Sequence, residues 1–291
     1  MEQSKLLFVI NPVSGGEEKI NWENDIKDYY KNTSAKIEMH ILNGENDAPS
    51  LKQHITAFKP DKVVAVGGDG TVKLVGGLLL NTSIPLGIIA AGSANGMAKE
   101  LNLPSKLSEA LNIINTGIIK KIDVICIDEK DFSFHLSDMG LNALLIKYYQ
   151  KNNEHGKLGY ARAIFKALWR KQLMNVELQY GSAKLNRNAY MVVIANARTY
   201  GTGAVINPDG NLFDGKFEVI IVKSISLLEL FKMLISHKEF DSKKTEIIQT
   251  EEISITAHRK AYFQIDGEYR GRIKTVKAKI LKSALGILLP K

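Results

Sequence analysis

Val63-Val64-Ala65-Val66-Gly67-Gly68-Asp69-Gly70-Thr71 is the stretch on which the reading of this chain turns. Four small or β-branched apolar residues in a row suit a strand buried on both faces, as in a parallel sheet. The run stops at Gly67, Gly68 and Gly70, with one carboxylate and then a hydroxyl among them. With no Cβ in the way, main-chain N–H groups of such a loop can meet phosphate oxygens. Asp69 is a candidate ligand for Mg²⁺, which takes oxygen donors and often only one or two protein carboxylates. The same residues also fit a plain strand and a glycine turn, with Asp69 serving turn chemistry. The loop by itself leaves both readings open.

Around this loop the first 120 residues alternate strand and helix patterns. Strands are expected at 5–10, 35–42, 62–66 and 85–90, and helices at 17–31, 47–58, 71–80, 94–101 and 106–116. That order implies βαβ units on a parallel sheet, where ligands bind beyond the carboxyl ends of the strands. Three Gly/Asn-rich loops, at 11–16, 67–71 and 92–95, leave such ends and should share one sheet edge. Past residue 120 the texture changes. Strands are expected at 121–127, 131–137, 174–180, 190–196, 216–222, 251–256, 261–265 and 272–280, with helical patterns at 141–150, 157–172 and 226–237. This reads as an antiparallel β-rich second domain with helical insertions. The domains expected are 1–120 and 121–281, and the last residues, 282–291, can return to the first.

Composition narrows the function classes. The 291 residues carry a formal net charge of +8, which suits a polyanionic partner such as a nucleotide or an anionic membrane surface. The basic residues are spread along the chain and no zinc-finger, homeodomain or RNP pattern occurs, so nucleic acid is not expected. Cys126 is the single cysteine, which excludes a disulfide framework and fits a reducing, cytoplasmic compartment. No apolar run is long enough to span a bilayer, so any membrane contact is expected from the surface. The pattern at 157–172 is the best candidate for it. Ala161, Ile164, Phe165 and Leu168 mark an apolar face, and Arg162, Lys166 and Arg170 a basic stripe. A packed helix with a solvated basic face fits the same spacing.

Neither a Walker A loop nor a dinucleotide fingerprint is present. The opening loop instead resembles the Gly-Gly-Asp-Gly-Thr signature of the diacylglycerol kinase catalytic-domain family, shared more loosely with NAD kinases and phosphofructokinases. Further segments follow that family's order: Asn11-Pro12 with Ser14-Gly15, Gly92-Ser93-Ala94-Asn95, Gly140-Leu141-Asn142-Ala143, Tyr200-Gly201-Thr202-Gly203, Pro208, Phe213-Asp214-Gly215 and Ile265-Asp266-Gly267-Glu268. The resemblance runs from residue 5 to beyond 268. It implies an NAD kinase/diacylglycerol kinase-like α/β nucleotide domain followed by a β-sandwich-like lipid domain, with the site in the cleft between them.

It further implies an ATP- and Mg²⁺-dependent kinase acting on a lipid hydroxyl of the diacylglycerol, phosphatidylglycerol or sphingoid type. Alternatives are a weakened or inactive lipid- or nucleotide-binding homologue and, less favoured, a soluble-substrate kinase of the NAD kinase type. By the resemblance, Asn11, Ser14, Gly67, Gly68, Gly70, Thr71, Ser93 and Asn95 bind the nucleotide. Asp69 acts through Mg²⁺ or on the substrate hydroxyl, and Glu268 is the general base. A carboxylate partly desolvated in a cleft beside Asp266 would have its pKa raised, which suits proton abstraction. Asp266-Gly267 is also a hairpin-turn signal. Asp209 and Asp214 read as turn residues before they read as metal ligands. Two positions depart from the diacylglycerol kinase form: Gly96 and Asn142 stand where that form has Asp. The expected partners are a membrane lipid substrate and a peripheral membrane surface, with a homodimer left open.

Overall fold

In the computed structural model the described residues are 3–14, 21–151, 157–199, 205–225 and 244–291. The chain divides into two compact units, Met1–Ile122 with Ser283–Lys291, and Asp123–Lys282.

The first unit is built from β1 (Lys5–Ile10), α1 (Trp22–Tyr30), β2 (Lys36–Ile41), α2 (Asp47–Phe58), β3 (Lys62–Gly67), α3 (Asp69–Leu79), β4 (Leu86–Ala90), α4 (Gly96–Glu100) and α5 (Leu107–Thr116). Its parallel strands run in the order β2-β1-β3-β4. Both faces are covered, so β1 and β3 are apolar almost throughout. Leu6, Phe8, Ile10, Val64 and Val66 pack against Trp22, Ile26 and Tyr30 of α1 and Leu111 and Ile114 of α5. Helix α1 starts at Trp22, later than the pattern at 17–31 implies. Asn21 caps its start by accepting the Asn24 N–H (3.2 Å), and residues 15–20 lie outside the described residues. The register places Ile10 beside Val66 and Gly67 beside Ala90, so β1, β3 and β4 end level. That alignment positions the loops that follow.

Strand β5 (Ile118–Ile127) leads into the second unit. There follow β6 (Asp131–Ser133), β7 (Leu136–Gly140), α6 (Leu141–Lys151), α7 (Lys157–Trp169), β8 (Met174–Tyr180), β9 (Ala183–Ala189), β10 (Met191–Ala195), β11 (Phe217–Val222), β12 (Thr245–Thr250), β13 (Glu252–Ile265) and β14 (Glu268–Leu289). An antiparallel run β12-β11-β10-β7-β13-β14 carries the β8–β9 hairpin on β13. Strand alternation sends Val192, Ile194, Val219 and Ile221 to one core and Met191, Val193, Ala195, Ile220 and Val222 to another, under α6 and α7.

Several expectations change here. The strand expected over 131–137 breaks into β6 and β7, and β13 is one strand where two were expected. Strands β9 and β12 were not expected. Lys184, Asn186 and Asn188 give β9 the polar alternation of an edge strand, with one face in water. In α7 the inward face is Ala163, Ile164 and Ala167, whereas Phe165 points outward and is 59% exposed. The apolar face drawn through Phe165 is therefore corrected. The helix expected at 226–237 and the segment Tyr200-Gly201-Thr202-Gly203 lie outside the described residues. No described helix is long and apolar enough to cross a membrane.

Candidate functional site

In the first unit the loops after β1, β3 and β4 meet. Asn11 donates from Nδ2 to Thr71 Oγ1 (3.4 Å) and accepts the Val13 N–H on Oδ1 (3.2 Å), so one amide ties the first loop to the second. The Ser14 N–H closes a turn onto the Asn11 carbonyl (3.1 Å). Thr71 is buried in the first turn of α3. Loops two and three touch backbone to backbone. A Cβ on Gly92 would lie 2.5 Å from Gly68 Cα, so glycine is the residue that lets them meet.

Asp69 holds this arrangement. Its two carboxylate oxygens accept the backbone N–H groups of Gly96 (2.9 Å) and Met97 (3.0 Å). Asp69 thus clamps the start of α4 to the start of α3, and the negative charge matches the helix end it meets. Asp69 takes two first-turn amides of α4, whereas α3 begins at Asp69 with Gly70 exposed beside it. The first-turn amides of a helix have no intrahelical acceptor and suit an anion such as phosphate. Asn95, in the left-handed region (φ 52°), folds its side chain onto its own loop. Its Oδ1 accepts the Gly92 N–H (2.8 Å) and its Nδ2 donates to the Gly92 carbonyl (2.6 Å). Asn95 shapes the loop, and Ser93 beside it is exposed.

Each Asp69 oxygen keeps lone-pair capacity beyond the amide it accepts, so the residue fits one position in a Mg²⁺ shell completed by water and phosphate. Among the described residues no three His, Cys, Asp or Glu side chains cluster as a metal site. Asp214 accepts the N–H of Lys216 (3.0 Å) within its turn, and Asp209 is exposed.

In the second unit, Asp266 and Glu268 separate by role. Asp266 and Gly267 both have positive φ (48° and 84°) and close a two-residue hairpin in which Ile265 faces Glu268. The Asp266 carboxylate accepts Ser133 Oγ–H (2.8 Å) and the N–H groups of Phe134, His135 and Leu136 (3.0, 3.0 and 3.2 Å). This latch breaks 131–137 into two strands. Glu268 lies on the open side, 48% exposed at its side chain, with Arg270 Nη2 donating to it at 2.8 Å. The turn directs Glu268 away from the core while Asp266 is turned inward.

A buried carboxylate was missed by the sequence reading. Asp138 is fully buried in β7 and accepts from Asn142 Nδ2, Gln264 Nε2 and the Ala143 N–H (2.8 Å). Burial pushes its pKa up to about 6, against the lowering by these three donors. By its sequence pattern Asn142 stands where the related form has an acid. The carboxylate instead sits four residues earlier, and Asn142 is its donor. An Asp followed by Asn at i+4 was the available signal.

Family models cover both units: the diacylglycerol kinase catalytic domain matches residues 5–127, and the YegS C-terminal NAD kinase beta sandwich-like domain matches residues 138–289. The chain is 28% identical over 263 residues to a diacylglycerol kinase of Mycobacterium tuberculosis, covering 86% of this chain and 84% of that one. It is 22% identical over 280 residues to a diacylglycerol kinase of Bacillus subtilis, covering 94% and 92%. A crystal structure described as a diacylglycerol kinase from Bacillus anthracis superposes with a TM-score of 0.72 at 19% identity, over 99% of this chain and 97% of that one. An NAD kinase from Archaeoglobus fulgidus in complex with ATP superposes with a TM-score of 0.58 at 12% identity, over 99% and 94%. These two superpositions speak to the fold.

Proposed function

This chain belongs to the diacylglycerol kinase catalytic-domain family, and on that premise we propose that it transfers the γ-phosphoryl group of ATP to the hydroxyl of a membrane lipid. A kinase acting on a lipid alcohol is what the family and the names of the relatives support. The lipid, in our reading, is a diacylglycerol, a phosphatidylglycerol or a sphingoid base. The observation that carries the proposal is the convergence of the loops at 11–14, 67–71 and 92–95 on the exposed start of α3.

Phosphoryl transfer asks a protein mainly for positioning and charge stabilisation. In this reading the α3 amides and the glycine backbone receive the phosphates, and Asn11 and Thr71 hold the loops at a fixed spacing. Asp69 keeps α4 against α3 and offers one ligand position for Mg²⁺. When bound, that metal would neutralise phosphate charge. Glu268 is the group we assign to accept the proton of the substrate hydroxyl, and Arg270 orients it.

Peripheral membrane contact belongs to the same proposal. Phe165 and Trp169, one helical turn apart on α7, and Leu173 beyond its end are exposed by 59, 82 and 54%, beside the exposed Lys166 and Arg170. Aromatic and aliphatic side chains next to cations suit an anionic interface.

Purified protein with labelled ATP, Mg²⁺ and a panel of diacylglycerol, phosphatidylglycerol, sphingoid base, ceramide and NAD tests the proposal. Label is expected in one lipid. Label in NADP would replace the reading with a soluble-substrate kinase, and nucleotide binding without transfer would leave an inactive homologue.

A further inference from the structure

The second unit holds a cavity of about 460 Å³, formed by the start of α6, the segment 170–175 after α7, and residues 258–262 of β13 with Arg272 of β14. That volume is in the range of small-molecule sites. Its walls differ in chemistry. Leu141, Leu144 and Ala261 are buried and make an apolar floor. Around the floor stand Arg170, Lys171, Arg259, Lys260 and Arg272, and among the described residues no Asp or Glu lines the cavity.

The backbone explains the cluster. Thr256 pairs with Thr275 and Ala261 with Ile273, so residues 257–260 of β13 stand opposite the single Lys274. A regular strand would turn every second side chain inward, whereas a bulge re-aims them. His258, Arg259 and Lys260 are consecutive and all exposed. Two of the cations are held by neutral groups. Arg272 donates to the Lys260 carbonyl (2.7 Å from Nη2) and lies over the Tyr262 ring at 5.2 Å. Lys171 donates to the Ile225 carbonyl (3.3 Å) and sits 5.1 Å from the Tyr190 ring centroid. Among the described residues, none of the five pairs with a carboxylate. Five like charges around one hollow repel one another, and an anion relieves that repulsion.

We infer that this cavity of the second unit binds the phosphate head of an amphiphilic phosphate ester, a phosphorylated lipid. The cationic rim takes the phosphate through charge-assisted hydrogen bonds. The floor and Leu173 take the first methylenes, which a bare phosphate would leave uncovered. The lipid nature of the ligand rests on the lipid-kinase reading, and the anion site rests on the cavity itself.

Titration calorimetry without ATP tests it, with dihexanoylphosphatidic acid below its micelle concentration as the probe. One-to-one saturable binding is expected, weakened at least ten-fold in Arg259→Gln/Lys260→Gln. Lys31→Gln/Lys52→Gln removes the same charge from exposed positions of the first unit and should bind as the parent does. Absence of saturable binding, or an unchanged affinity in the Arg259→Gln/Lys260→Gln variant, overturns the site. Equal affinity for inorganic phosphate overturns the amphiphile, and equal affinity for uncharged dihexanoylglycerol overturns the anion. An active lipid kinase whose double variant binds undiminished defeats this inference alone. A chain that binds the probe but phosphorylates no lipid defeats the function reading alone.

Discussion

Asp266 and Glu268 stand two residues apart and should respond to substitution in opposite ways. Asp266→Ala strands three backbone N–H groups and a hydroxyl, and puts alanine at a left-handed φ, so a loss of about 3 kcal/mol or more is expected in urea unfolding. Glu268→Gln leaves an exposed turn residue in place, so its unfolding midpoint should match the parent's. Its turnover should fall by about 10²-fold or more if it takes the substrate proton. Unchanged turnover in that variant removes Glu268 from the mechanism. Asp138 adds a pH dependence. Its folded pKa, raised to about 6 by burial, means that its favourable contribution is complete below about 4 and is lost as pH rises through about 6. The stability difference between pH 4.5 and pH 7 should therefore be smaller in Asp138→Asn than in the parent. A variant with the parent's slope would show that another group titrates.

Elements set the nucleotide side. Helix α4 has five residues, too few to hold its own shape in water, and Asp69 supplies the fixed point at its start. Asp69→Asn keeps only one acceptor oxygen for two amides. It should lower stability by about 1.5–3 kcal/mol as well as transfer, which urea unfolding and a kinase assay would separate. Gly92→Ala tests the contact between loops two and three directly. Its new Cβ would meet Gly68 Cα at 2.5 Å, so the loops must part. ATP affinity should fall at least ten-fold while the far-UV spectrum stays the same. An unchanged affinity would mean that the spacing of these loops does not matter for the nucleotide.

At the scale of the whole molecule, the last strand begins in the second unit and ends in the first. Ser283–Lys291 count with the first unit, Ile287 pairs with Leu86 of β4, and Leu285, Ile287 and Leu288 are buried there. At about 1.5–3 kcal/mol for each buried side chain, deleting 283–291 should cost more than the first unit can lose, and the truncated chain should aggregate on expression. A soluble truncation with intact ATP binding would refute this. Much of the molecule is legible in its sequence. Apolar strands ending in Gly/Asn loops prescribe a parallel sheet with a phosphate-ready edge, because chain-local stereochemistry decides strand, turn and helix start. The change to alternating patterns past residue 120 likewise signals an antiparallel second half. Tertiary structure alone decided what each carboxylate does. Asp69 became a clamp, Asp266 a latch and Asp138 a buried acid, while Glu268 stayed in water. Partners 27 to 133 residues away in sequence determine the roles of Asp69 and Asp266, and Asp138 adds the distant Gln264 to its near donors Asn142 and Ala143. The cationic hollow on β13 was equally invisible, since a bulge is a mismatch between two strands and neither strand records it alone.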